Sequence, residues 1–344
     1  MQPSASSAHD LRLLARRLPT LLAHVLPPPL ARVLPTALAV GIALGAAAGI
    51  GLLSPVALSA QIEGALPRLT QLPASTRAMA LGNSYVMDAG HADAIFYHPA
   101  LLTGADGFGL DVQRWGAGSS AAAASAAFQW LGGGVGIGLR TLQYGVSSAD
   151  EAAPAGQDHL FDIGAEPVSE RMATVAYARE TLFDVDLGVS VSLVDERVGS
   201  TRHGVALFDV SAARGIGPIT LALTAHDIGD KPVLDTGREP SRITLGAGDY
   251  GRPVGIFDIG YAANVGLQDD ELTFGGGIEV GYWPIQGRTF VARVGFQDVP
   301  DGSDASPVTT GFAFWGDDVT IEWAFRPFSG GDEGGSHRFG LRWR

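Results

Sequence analysis

The side chains that could do chemistry in this chain are arginines, carboxylates and a few histidines; it contains no cysteine. Thiol nucleophiles, disulfides and thiolate metal sites are therefore excluded. Serine hydrolysis needs a serine on a sharp turn with a histidine and an acid in reach. Here His159, His203, His226 and His337 are scattered, and no serine sits in a nucleophile elbow. The set Asp298-x-x-Asp301-Gly302-x-Asp304 offers oxygen ligands beside a turn. It lacks calcium-loop spacing and reads as a solvated acidic loop. The glycines Gly132-Gly133-Gly134-x-Gly136-x-Gly138 are followed by no helix that could hold a phosphate. The chain is read as a non-enzyme with neither cofactor nor metal.

What remains is a set of charges with a common phase. Arg140, Asp186, Asp258, Glu279, Arg293, Glu322, Arg326, Arg338 and Arg342 alternate with apolar residues and fall in step with small ones. The elements that carry them are strands. Phe257, Ile259, Tyr261, Ala263, Val265 and Leu267 form one face, against Asp258, Gly260, Ala262, Asn264, Gly266 and Gln268. Val185 to Leu193 and Thr320 to Arg326 alternate in the same way, and period two is the mark of a strand with unlike faces. In a soluble sandwich the apolar face is the core; in a membrane barrel it meets lipid and the polar face lines the lumen. In the lumen such charges pair with one another or with an inserted segment, or an arginine such as Arg293 or Arg326 reads a ligand carboxylate.

Length and turn spacing decide between these architectures. Fourteen segments are expected, at 107–116, 120–132, 134–146, 170–182, 183–199, 201–215, 217–229, 241–251, 254–268, 271–284, 288–299, 307–317, 319–328 and 336–344. Most have the ten or so residues that cross a bilayer when tilted. Alternate connections are tight: Gly132-Gly133-Gly134, Leu182-Phe183, Gly215 to Pro218, Gly251-Arg252-Pro253, Pro284 to Gly287 and Gly316-Asp317-Asp318. Longer polar loops (Val146–Ser169, Gly229–Pro240, Val299–Ser306 and Ser329–Ser336) fall only in the other gaps. Short turns on one rim and long loops on the other are the asymmetry of outer-membrane barrels. Trp115, Trp130, Tyr282, Trp283, Trp315, Trp323 and Trp343 are expected near strand ends, where interfacial rings belong. The fold class is thus all-β: a transmembrane antiparallel barrel of about 14 strands.

Composition agrees. Apolar residues make up 46% and charged residues only 17%, low for a soluble surface. The net charge of −13 argues against nucleic acid, whose phosphates demand a basic face. Residues 1–60 hold four arginines and one aspartate, so the remainder stands three units more negative, at −16. Those arginines precede an apolar run from Ala37 to Leu53 and small residues at Ala57 to Ala60. That order describes a secretory signal peptide over 1–60, cut near 59–61. Residues 61–106 are expected as an N-terminal periplasmic or plug segment, and 107–344 as the barrel.

Within that N-terminal segment, Arg77-Ala78-Met79-Ala80-Leu81-Gly82 is followed by Asp93-Ala94-Ile95-Phe96-Tyr97-His98-Pro99-Ala100-Leu101-Leu102. This resembles the front end of the FadL-type hydrophobic-compound transporters and their PorV/PorQ-like relatives, with His98 where that family has asparagine. The resemblance implies an N-terminal hatch inside the barrel, with Phe96, Tyr97, His98, Pro99, Ala100 and Leu101 as hatch residues. It implies uptake of hydrophobic small molecules such as long-chain fatty acids across the outer membrane, with sideways exit through the barrel wall. The alternative is a PorV-like barrel that binds a protein partner in secretion or envelope assembly. The expected surroundings are outer-membrane lipid around a monomer.

Overall fold

The computed structural model describes residues 68–85, 90–115, 119–144, 168–181, 183–198, 201–229, 241–268, 271–285, 288–299, 305–328 and 335–344. The expected signal peptide, residues 1–60, lies outside them, as do most of the long loops and the Asp301-Gly302-x-Asp304 stretch.

Fourteen strands follow one another: β1 (Gly107–Trp115), β2 (Ser119–Trp130), β3 (Gly133–Tyr144), β4 (Val168–Glu180), β5 (Asp186–Val198), β6 (Thr201–Ile216), β7 (Ile219–Gly229), β8 (Arg242–Val254), β9 (Phe257–Gln268), β10 (Glu271–Ile285), β11 (Arg288–Gln297), β12 (Val308–Trp315), β13 (Val319–Pro327) and β14 (Gly335–Trp343). Each pairs antiparallel with its sequence neighbours. β14 closes on β1, from Phe108 opposite Trp343 to Arg114 opposite His337. Closure leaves no edge strand, so every ladder group has a partner without water.

The side-chain phase is the one that lipid requires. On β3, Ile137 and Leu139 face outward, 46% and 55% exposed, while Arg140, the next residue after Leu139, is buried. On β9, Phe257, Tyr261, Val265 and Leu267 are exposed, and Ala262 is buried. A soluble chain would not leave so continuous an apolar exterior.

Short turns of two to five residues close one rim. Leu131 and Gly132 both have positive φ, 53° and 73°, the conformation that matches the twist of a tight hairpin. One expected turn is displaced. Gly251-Arg252-Pro253 lies inside β8, where the register to β9 shifts between Asp249 and Arg252, and the chain reverses instead at Gly255-Ile256. Gly251 does take a left-handed φ of 68°, but it serves a bulge there. Similarly, β5 begins at Asp186 rather than 183, because a Thr181 N–H to Val185 O bond of 2.8 Å closes a wider turn. Trp130, Tyr282, Trp283 and Trp343 sit near this rim and are exposed. Trp323 does not lie at a strand end: it occupies the middle of β13 and stacks on Phe312 and Phe325.

Residues 68–85 and 90–105 include short helical turns: a 3-10 turn at Arg68–Thr70, α1 (Thr76–Ala80), and 3-10 turns at Ala92–Phe96 and Pro99–Gly104. Isolated turns this short are marginal in water, so wall contacts must hold them. They pack against the inward faces of β1–β6 and β11–β14. Inward glycines make this possible. A Cβ on Gly134 would collide with the Leu102 carbonyl, and one on Gly188 with the Pro99–Ala100 peptide.

Candidate functional site

Two groups of polar side chains tie residues 68–85 and 90–105 to the wall. The first is ionic. Antiparallel pairing sets Glu279 on β10 opposite Arg293 on β11, and Arg293 Nε lies 3.0 Å from Glu279 Oε2. Arg293 Nη1 also reaches Glu322 Oε1 on β13, at 2.7 Å. Arg77, on α1, joins at 2.7 Å from Glu279 Oε1 and lies 4.5 Å over the Tyr250 ring. Around the closure, Arg342 lies 3.0 Å from both Asp93 and Asp111. Asp111 accepts bonds from the Thr76 N–H (2.7 Å) and hydroxyl (2.5 Å). Arg338 donates to the Pro73 and Ala74 carbonyls.

Four buried guanidiniums thus meet four buried carboxylates, and the set is neutral. Burial alone would raise the Asp93 carboxyl, but Arg342 beside it holds it well below the usual carboxylate range. It stays ionised.

The second group surrounds His98-Pro99-Ala100. Pro99 follows His98 and opens the next turn, as its fixed φ favours. The His98 Nδ1 hydrogen-bonds with Thr224 Oγ1 at 2.6 Å, and the Ala100 N–H donates to Ser211 Oγ at 2.6 Å. Burial, aided by the Arg242 charge, drives the imidazole down to about 3, so it is neutral. The Tyr97 hydroxyl accepts the Ala74 and Ser75 N–H groups at 2.8 and 3.0 Å. Its ring stacks on Tyr85 at 4.8 Å, and Tyr85 donates to Asp93 at 2.6 Å. Burial pushes the Tyr97 phenol up, against the pull of Arg338 and Arg140. Phe96 lies 5.6 Å from the Arg140 guanidinium, and Leu101 is fully buried.

Of the charges expected in the lumen, Glu279, Arg293, Glu322, Arg338 and Arg342 belong to the ionic group. Arg140 donates to the Leu72 carbonyl at 2.6 Å, and Asp186 hydrogen-bonds with Thr103. Asp258 and Arg326 join neither group: Asp258 is half-buried near the short-turn rim, and Arg326 donates to the Ser306 carbonyl at 2.9 Å. Sequence reasoning missed Arg77, Asp93 and Asp111 as the partners of these charges.

It also missed a polar pocket at a strand irregularity. The β6–β7 register shifts between Phe208 and Val210, setting His226 and Asp227 against the single residue Asp209. Asp227 takes a left-handed φ of 55°, and its N–H donates to Asp209 at 2.8 Å. Ser190 donates to Asp209 at 2.6 Å, and Thr174 and Ser192 bond at 2.8 Å. A cavity of about 20 Å³ lies among Asp209, His226, Asp227, Arg242, Arg140 and Phe96, enough for about one water. Beside it is an apolar stretch of inner wall: Leu142, Met172, Val194 and Leu207 pack with Leu69 and Leu72. The signal available for His226 was its phase with Ala222 and Thr224 on β7; nothing local announces the bulge.

No protein-family model and no curated protein sequence matches the chain. Among solved structures, the toluene transporter TodX of Pseudomonas putida superposes with a TM-score of 0.50 at 12% identity, over 77% of this chain and 95% of that one. The toluene transporter TbuX of Ralstonia pickettii gives 0.52 at 12%, over 79% and 97%. The monoaromatic hydrocarbon channel CymD gives 0.51 at 8%, over 78% and 96%. At these identities the likeness is one of fold, and the chain shares the closed-barrel fold of these transporters over nearly their whole length.

Proposed function

We propose that this chain is a FadL-like outer-membrane channel that admits hydrophobic small molecules, with residues 61–106 acting as its plug. The observation that carries the reading is the docking of residues 68–85 and 90–105 against the inner wall of a barrel whose exterior is apolar. The docked segment stands in the path of anything entering the bore. The shared fold with toluene transporters supports an apolar cargo, and long-chain fatty acids are the second cargo to examine. In this reading Phe96, Tyr97, His98, Pro99, Ala100 and Leu101 form the moving face of the plug. Glu279, Arg293 and Glu322 fix its α1 half. The cargo is bound and passed on unchanged.

Initial uptake of radiolabelled toluene and oleate should be compared in Gram-negative cells with and without the protein. A severalfold rise for either supports the channel; no rise for both sinks it. A protein-binding role in secretion or envelope assembly is the second reading. It is favoured by the connections of two or three residues between β1 and β2, β5 and β6, and β9 and β10 on the rim of longer loops. Unchanged uptake together with a stoichiometric envelope protein on the gently extracted barrel would select it.

A further inference from the structure

We infer that the pocket at the β6–β7 bulge binds the head of an amphipathic ligand, and that this head is a neutral hydrogen-bonding group such as a hydroxyl. The inference rests on the channel reading and narrows its cargo. Arg140 and Arg242 face Asp209 and Asp227 around the cavity, with Thr70, His226, Thr174 and Ser192 completing the polar side. Asp209 and Asp227 already stand against the two arginines, so a ligand carboxylate would bring a third acidic group among them, and burying one more anion there is unfavourable. A bare hydrocarbon fits no better. The Arg242 Nε is buried without a partner, and a hydrocarbon would leave it so. A hydroxyl both donates and accepts, so it can answer the arginine and an aspartate together.

The other side of the cavity is apolar: Ile95, Phe96 and Met172. Met172 continues into the wall of Leu142, Val194 and Leu207. The free volume is sufficient for the head alone. The ligand body would take the place now held by Phe96, Leu69 and Leu72, so binding loosens the plug from this wall.

Met172 provides the test. The chain has four methionines, and Met79 packs apart from the pocket against Ala80 and Ala324. The full barrel, labelled with 13C-methyl methionine in nanodiscs, is titrated with p-cresol, p-xylene and p-toluate, which share one ring. We expect p-cresol to shift the Met172 methyl saturably, at about tenfold lower concentration than the other two, with Met79 still. Arg242→Leu should erase that preference; its folding is checked by heat-modifiable migration on gels. Should that variant misfold, the three-ligand ranking on the unaltered protein decides alone. Equal or tighter binding of p-xylene overturns the inference, as does tightest binding of p-toluate. Silence of Met172 towards all three also overturns it, while uptake by cells reports separately whether the channel reading stands.

Discussion

Arg293 on β11 and Glu322 on β13 are held 2.7 Å apart although β12 lies between their strands. The inward residues of β12 at that level are Gly311 and Ala313, too small to intervene. These small inward residues leave room on the inner face for a buried ion pair to form over β12. The same opening admits α1: a Cβ on Gly311 would approach the Ala80 Cβ to 2.5 Å.

Removing one member of this group should therefore be far worse than removing a matched pair. Glu279→Ala strips Arg77 and Arg293 of a shared carboxylate while both remain buried. The expected loss is about 3–5 kcal/mol, the cost of an uncompensated buried charge. Replacing Glu279 and Arg77 together by leucine and methionine should recover most of it. Midpoints of urea unfolding in detergent check this; equal losses for the single and double variants would refute it.

A glycine on the opposite side controls docking of the second half of the segment. Gly188 on β5 lies under the Pro99–Ala100 peptide, where no Cβ fits. Gly188→Val should leave the barrel folded, since valine suits a strand. The segment, however, should lift from β4, β5 and β6, losing the Ala100 to Ser211 bond. Chymotrypsin cleavage after Phe96 or Tyr97 should then become faster than in the unaltered protein. Unchanged protection would show that docking does not depend on this contact.

The barrel was legible because its signals are local. Period two and turn residues are read within ten positions, and all fourteen strands stand within a few residues of expectation. The β8–β9 turn was misplaced because glycine in a left-handed conformation serves a bulge as readily as a turn. Asp111 could have been found, since it shares its phase on β1 with Gly109 and Gln113. Arg77 could not: its partner Glu279 is 202 residues away, and the irregular segment offers no period to follow. The Asp209–Asp227 contact exists only because a bulge breaks the phase on which sequence reading depends.

On the lipid side the expectation is one of sign and depth. Leu139 points outward from the middle of β3 and is 55% exposed. Leu139→Arg should destabilise insertion by roughly 2–4 kcal/mol near the bilayer midplane. The neighbouring Arg140 faces inward, where its bond to the Leu72 carbonyl compensates it. Folding titrations into vesicles check the difference. A neutral Leu139→Arg would mean that this face does not meet hydrocarbon.

His98 should make docking depend on pH. Docked, its imidazole is driven by burial and by Arg242 down to about 3, against an ordinary value of 6.5. A group whose docked value is the lower one favours docking fully above its free value and loses that contribution as pH falls below it. The window therefore runs from about 6.5 down to 3. Between pH 7.5 and 5.5 the docking equilibrium should weaken about tenfold, or ~1.4 kcal/mol. His98→Asn keeps a hydrogen-bonding group toward Thr224 but has nothing to titrate, so its docking should be flat over the same range. The chain has no cysteine, so a single Gly104→Cys carries a nitroxide whose mobility reports release without titrating itself. Mobility rising toward pH 5.5 in the parent background and constant with His98→Asn is the expected result. Parallel rises in both would move the origin of the effect from His98 to another group around Thr224, among them His226, Asp209 and Asp227.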